Sequence, residues 1–308
     1  MPRFLTNTIT TIRSSIVLAA SLIFTVPVVE AGTIVRVQTL LGVFTLELFD
    51  ETAPLTTANF LNYVESGRYN LTIVHRAEPG FVIQGGNWKF DERSQDFFEI
   101  IKDGPIQNEF SILNTAGTIA MAKLGNDPDS ATNEWFINLE DNPSLDTTNG
   151  GYTVFGEVVG NGMILINTIS GLEPVSHPTI PFGIPIYQFD GGTVLRDDLV
   201  NVTMSVLANV YDPQTGMLTI TVDAQSLGLL RVSFTVVSVE QGVIQALGES
   251  VENLTEPRGN ISTYDTSTAR LIIPELAVDG DIAFKDVVFV LTDNEQLLFQ
   301  VESFTEVQ

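Results

Sequence analysis

Val74-His75-Arg76-Ala77-Glu78-Pro79-Gly80-Phe81-Val82-Ile83-Gln84-Gly85-Gly86-Asn87-Trp88 decides how this 308-residue chain is read. One arginine and one glutamine stand in a short alternating run of large apolar residues flanked by glycines. That pattern suits a shallow apolar pocket holding a single fixed cation. A second block, Ala120-Met121-Ala122-Lys123 and then Ser130-Ala131-Thr132-Asn133-Glu134-Trp135-Phe136-Ile137-Asn138, supplies more of the same chemistry.

Upstream, residues 33–38 and 41–49 are β-rich and split at a Leu-Gly pair. The second run alternates Val43, Thr45 and Glu47 against Phe44, Leu46 and Leu48, so the two predict a hairpin. Residues 53–67 place Leu55, Ala58, Phe60, Leu61 and Val64 near helical spacing, with Pro54 in the first turn and Gly67 at the end, an amphipathic helix. Short β-like pieces follow at 71–75, 80–84, 117–122, 134–139 and 152–158. Residues 162–169 predict a second helix, stopped by Ser170-Gly171. Residues 171–192 are rich in Pro, Gly and aromatics without periodicity and read as a long connection, before one more strand at 199–207. Many short strands and two helices predict a mainly β unit, a closed antiparallel barrel capped at its ends.

From about Ala208 the pattern changes. Tyr211-Asp212-Pro213-Gln214-Thr215-Gly216-Met217-Leu218-Thr219-Ile220 recurs 53 residues later as Tyr264-Asp265-Thr266-Ser267-Thr268-Ala269-Arg270-Leu271-Ile272-Ile273. The matches at Tyr, Asp, Thr, Leu and Ile fit either a duplication or common turn chemistry. With the alternating runs 230–239 and 282–291, residues 208–308 predict a small all-β, sandwich-like domain of unknown role.

The ordered motifs resemble the substrate face of cyclophilin-type peptidyl-prolyl isomerases. The likeness runs from about Thr33 to about Leu207. It rests on HRxxPGFxxQGG, then Gly117-Thr118-Ile119-Ala120-Met121-Ala122, Phe136-Ile137-Asn138, Leu145-Asp146 and Val154-Phe155-Gly156. It implies that residues 32–207 form an eight-stranded antiparallel barrel capped by two helices. The run Asp127-Pro128-Asp129-Ser130-Ala131-Thr132 and Tyr152 are more similar to the bacterial exported branch than to cytosolic eukaryotic members.

Proline isomerisation needs no nucleophile, proton acceptor, cofactor or metal. The amide bond has partial double-bond character and a barrier of roughly 18–20 kcal/mol, lost conjugation leaving the twisted prolyl nitrogen with its lone pair. A catalyst therefore wants a fixed donor aimed at that nitrogen. Arg76 is the candidate, because a guanidinium stays charged and its hydrogen bond strengthens as the nitrogen becomes basic. A gain of ~10⁵ needs ~7 kcal/mol, more than one ordinary hydrogen bond supplies, so a preorganised, partly dry pocket is required. The resemblance implies that Phe81, Val82, Phe136 and Leu145 line the proline-ring pocket and that Gln84 supports the arginine. It also implies that Ala122 and Lys123 border the groove for the residues before proline, and that Tyr152 stands at the rim. His75 is expected to be structural.

Three positions depart from the family. Glu134 replaces the common Gln, and a carboxylate ~6 Å from a guanidinium is worth roughly 3 kcal/mol at an effective dielectric of ~20 before salt screening. It would draw Arg76 out of position or hold it while weakening its charge. Ser144 stands where a large aromatic is usual, which predicts an open pocket wall and weak cyclosporin binding. Trp135 replaces Phe at a packed position.

Arg3 and Arg13 precede an apolar run at 16–29 and small residues near Ala31, which predicts a secretory signal peptide over residues 1–31. The run is about 14 residues, against the roughly 20 that span a bilayer, so no integral membrane segment is expected after cleavage. The product is expected to be periplasmic or secreted. The net charge of −24, one unit more negative once residues 1–31 are removed, repels nucleic acid and favours cationic partners. The absence of cysteine excludes thiol catalysis and disulfides, and two histidines exclude a histidine-rich metal site. The expected activity is isomerisation of proline segments in unfolded or flexible exported polypeptides. The alternative is a weakly active or inactive proline-peptide binding or chaperone module. A surface adhesin using the barrel only as scaffold fits least, given Arg76, Phe81, Gln84 and Phe136 together.

Overall fold

The computed structural model describes residues 32–307; the expected leader over residues 1–31 lies outside the described residues. Contacts divide the chain after Val206 into two compact units. Each has its own apolar core.

In chain order the first unit contains β1 (Ile34–Thr39), β2 (Gly42–Leu48), α1 (Pro54–Glu65), β3 (Thr72–Ile73), β4 (Arg76–Glu78), β5 (Val82–Gly85), β6 (Trp88–Asp91) and β7 (Asp96–Glu99). There follow β8 (Thr118–Met121), β9 (Trp135–Asn138), α2 (Pro143–Thr147), β10 (Val154–Val159), α3 (Gly162–Ser170), β11 (Pro174–His177), β12 (Ile180–Pro185) and β13 (Asn201–Leu207). Pro54 opens α1, and the Glu109 carboxylate accepts from the N–H groups of Leu55 and Thr56 at 3.0 and 2.8 Å. Those donors have no partner inside a helix, and a carboxylate there also suits the helix dipole.

Strands β5, β9, β8, β10, β2, β1 and β13 lie edge to edge, and β6 and β7 extend the sheet beyond β3. The ring closes through a broken segment instead of an intact eighth strand. Leu71 and Val74 donate to Val202 and Val200, whereas His75 donates to Gln84 on β5. The expectation of eight strands is thus corrected: seven intact strands close with one that changes partner between Val74 and His75. The expectation of two helices is also corrected, since α2 adds a short third among the described residues. Residues 171–192 are no plain connection; they carry the β11–β12 hairpin.

Period-two alternation divides the barrel wall into two faces. Ile83, Ile119, Met121, Trp135 and Ile137 turn inward to a core shared with Phe60 of α1 and Ile166 of α3. Their neighbours Val82, Ala120, Phe136 and Val154 turn outward into a separate apolar cluster. The site lies on that second face. Trp135, with no exposed surface, dictates the glycine pair of the opening motif: a Cβ on Gly85 would stand 2.6 Å from the indole, and one on Gly86 2.5 Å from the Asn133 carbonyl.

The second unit contains β14 (Asn209–Asp212), β15 (Met217–Asp223), β16 (Leu229–Ser238), β17 (Val243–Ala246), β18 (Glu252–Asn253), β19 (Ser262–Asp265), β20 (Arg270–Val278), β21 (Asp281–Asp293) and β22 (Leu298–Glu306). Pairing runs β15–β16–β17–β22–β21–β20–β14 and returns to β15. The expected sandwich is corrected: this sheet closes on itself. The 53-residue repeat explains the closure. β14 pairs antiparallel with β15 and parallel with β20, while β19 pairs antiparallel with β20 and parallel with β15. Each copy's first strand stitches it to the other, and at the centre Ser262 Oγ donates to its repeat mate Asn209 at 2.7 Å, both buried.

Candidate active site

Three neighbouring strands bring the predicted polar residues together. Arg76 on β4 stands opposite Gln84 on β5, which stands opposite Phe136 on β9. Arg76 Nη1 donates to Gln84 Oε1 at 3.0 Å, and Gln84 Nε2 donates to Glu134 Oε2 at 2.6 Å. A carboxylate can only accept, so Glu134 obliges Gln84 to present its amide N–H there and its carbonyl to the arginine. The guanidinium carbon lies 5.6 Å from the Phe81 ring centroid, so the cation stands beside the apolar cluster.

That cluster gathers most of the predicted pocket. Buried Val82 and Phe136 form its base, and half-buried Phe81, Ala122, Leu145 and Tyr152 pack around them. Phe136 and Tyr152 meet edge to face with centroids 5.7 Å apart. The Phe81 carbonyl accepts from Leu139 N–H at 2.9 Å and from the Asn142 side chain at 3.0 Å, which pins the Pro-Gly-Phe turn against β9. Ser144, where the family likeness implied a large aromatic, is exposed on α2.

Lys123 is held rather than extended. Its Nζ donates to the carbonyls of Asn149 and Gly151 at 2.8 and 2.6 Å and lies 4.8 Å over the Tyr152 ring. Burial lowers its pKa from the ordinary lysine value, partly offset by Asp129 and Asp127. The two Nζ bonds tie Lys123 to the loop at 149–151.

Glu134 does not reach for Arg76. Its partners are Gln84 and the imidazole of His75, whose Nε2 is 3.5 Å away. Burial alone would raise the Glu134 carboxyl, but His75 and Gln84 outweigh it and hold the group below the usual carboxylate range. His75 is itself buried; its Nε2 approaches Glu134 at 3.5 Å without forming a hydrogen bond, and Nδ1 has no hydrogen-bond partner either.

Sequence reasoning missed the carboxylate that does engage the arginine. Glu78 Oε1 accepts from Arg76 Nε at 2.9 Å and Nη2 at 2.7 Å. The two stand two residues apart on β4, so alternation places them on one face; that spacing was the available signal. Phe182 on β12 was also missed, its ring centroid 4.9 Å from the guanidinium carbon. No local pattern links it to residue 76.

The site therefore offers a guanidinium beside a half-buried apolar surface, with no metal-ligating group of side chains among the described residues. Such an arrangement can bind a proline ring and donate a hydrogen bond to an amide losing its conjugation. Comparison with known proteins points the same way. The family model described as cyclophilin type peptidyl-prolyl cis-trans isomerase/CLD matches residues 34–187, half of the chain. The chain is 40% identical over 158 residues to a peptidyl-prolyl cis-trans isomerase of Acinetobacter baylyi, covering 50% of this chain and 78% of that protein. It is 41% identical over 146 residues to isomerase A of Dickeya dadantii, covering 46% and 73%. Isomerase B of Escherichia coli is 41% identical over 138 residues, covering 42% and 80%. The outward-facing cluster, its arginine and these relatives together make the chain a member of the cyclophilin-type peptidyl-prolyl cis-trans isomerase family, and an enzyme of that class.

Proposed function

We propose that this isomerase acts on proline-containing segments of exported polypeptides, with Arg76 as the catalytic group. The proline ring rests on Phe81, Val82, Phe136 and Leu145. As the C–N bond twists, the prolyl nitrogen pyramidalises and accepts a hydrogen bond from the guanidinium. No covalent bond is made or broken, so the whole effect is stronger binding of the twisted state than of either planar one. The placement of Arg76 by Gln84, beside the Phe81 ring, is the observation that carries this reading.

Isomerisation of a short proline peptide by the full chain and by Arg76→Ala tests it. Removing a preorganised donor typically costs ~10²-fold or more in kcat; equal rates would reject Arg76 as the catalytic group. In the same assay the exposed Ser144 gives weak cyclosporin inhibition, and tight inhibition would contradict an open wall. Export rests on the apolar run at 16–29. Recovery of the chain outside the cytoplasm, shortened at its N-terminus, is the expected result of cell fractionation, and cytoplasmic retention would oppose it.

The second reading, a weakly active module that binds and shelters proline segments, is favoured by the Glu78 contact. A carboxylate taking two hydrogen bonds from Arg76 lowers the positive potential the site offers. Tight binding of a proline peptide with a turnover unaffected by Arg76→Ala would select it.

A further inference from the structure

We propose that Phe182, on a hairpin outside the motifs that carry the family likeness, is a positioning residue for the isomerase reaction: it covers the Arg76 guanidinium and fixes its plane. The proposal rests on Arg76 being the catalytic group.

The hairpin is built to deliver that ring. β11 and β12 pair Ser176 with Gly183 and His177 with Ile180, so Pro181 and Phe182 have no partner across the ladder. Such an irregularity turns a side chain off the sheet, and bulges recur beside active sites for that reason. The rest of the hairpin is anchored: Ile180 and Ile184 are buried in a cluster with Phe90, Phe97 and Ile73. The His177 ring meets Phe97 edge-on at 4.8 Å, and the Thr179 hydroxyl bonds the Asp96 carboxylate. The side chain left over is Phe182, 37% exposed, 4.9 Å from the guanidinium carbon and 6.2 Å from the His75 ring.

Arg76 is then held from three directions. Gln84 takes Nη1, Glu78 takes Nε and Nη2, and the rings of Phe81 and Phe182 lie near the guanidinium. These acceptors lie in the guanidinium plane and leave its faces open, and an arginine side chain carries much rotamer entropy to be ordered, so a ring against one face opposes tilting out of that plane. An aromatic face attracts the cation and displaces water from it, which strengthens the donors that remain. Phe182 meets the cation, and its effect falls on the twisted state that Arg76 stabilises. It therefore acts on kcat, with KM little changed.

The test is proline-peptide kinetics on the full chain for Phe182→Leu, Phe182→Tyr, Arg76→Ala and the Phe182→Leu/Arg76→Ala pair, with thermal unfolding of each as a check on folding. Phe182→Leu keeps apolar bulk but loses the π face, and it is expected to lower kcat about two- to tenfold, the range of a cation–π contact, with KM within twofold. Phe182→Tyr keeps the ring and restores the rate; it also serves where Phe182→Leu unfolds. In the Arg76→Ala background Phe182→Leu is expected to have no further effect. An unchanged kcat in Phe182→Leu, an equal fall with and without Arg76, or failure of Tyr to rescue overturns the positioning role while leaving Arg76 catalytic. A wild-type rate in Arg76→Ala instead removes the arginine reading, and this proposal with it.

Discussion

Glu78 and Glu134 serve Arg76 in two different ways, one by direct hydrogen bonds and one through Gln84. Glu134, expected from the family likeness to act on Arg76 itself, instead serves it indirectly, by orienting Gln84. Glu78 bonds the guanidinium itself, through one oxygen, with its side chain half exposed. Glu78→Gln keeps an acceptor for Nε and Nη2 and removes the charge, so kcat/KM is expected to rise. Half-exposed ion pairs are worth ~0.2–1 kcal/mol, which predicts a gain of roughly 1.5- to 5-fold. Salt should narrow the difference, because it screens the wild-type carboxylate and leaves the glutamine variant unaffected. Peptide kinetics at low and ~1 M salt check both points, and a slower variant would show that the charge is needed to hold the arginine. The motif residues of the site were legible because family order fixed their places: Arg76, Phe81, Gln84 and Phe136 all meet on one face. Glu78 was readable only as the next outward residue on a strand whose boundaries were unknown. Phe182 was not readable, since the contact spans 106 residues and depends on a bulge.

Both copies of the 53-residue repeat carry the same turn. Asp212 accepts from Gln214 N–H at 2.8 Å and Thr215 Oγ1 at 2.7 Å, and Asp265 accepts from Ser267 N–H at 2.8 Å and Thr268 Oγ1 at 2.7 Å. These bonds hold the Asp265 carboxyl down at about 2 and lower that of Asp212 as well. The next residue is left-handed in both copies: Gly216 at φ +71° and Ala269 at φ +56°. A non-glycine residue there costs roughly 1–2 kcal/mol, less the ~0.4–1 kcal/mol that glycine loses through unfolded-state freedom. Ala269→Gly is therefore expected to stabilise the chain by about 0.5 kcal/mol. Gly216→Ala, with open space where its Cβ would lie, should destabilise by a similar amount. Urea unfolding of the two variants decides it; equal signs would mean the turns are not energetically equivalent. The sequence matches at Asp and Thr fit either a duplication or ordinary turn chemistry, and the reciprocal strand pairing is what favours duplication. Elsewhere proline hid an element: β11 and β12 contain Pro174, Pro181 and Pro185, which suppress a strand signal. A two-stranded sheet tolerates them because both its strands are edges with outward-facing donors to spare.

At the scale of the molecule, two cores with no shared residue imply two separately sustained units. The C-terminal core is built from repeat mates: Ile220 and Ile273 are fully buried, and Leu218 and Leu271 nearly so. Truncating such a side chain removes its burial and leaves a cavity, at ~2–5 kcal/mol for Ile→Ala. That is a large part of the ~5–15 kcal/mol that holds a typical domain. Ile273→Ala should therefore lower one calorimetric transition by many degrees and leave another in place. The residues that surround Arg76 all belong to the first unit, so kcat/KM on a short proline peptide should stay within twofold of wild type, even at temperatures where the C-terminal barrel has melted. Activity lost in step with that lower transition would instead mean that the isomerase unit draws its stability from the duplicated barrel, and that the two unfold as one cooperative body.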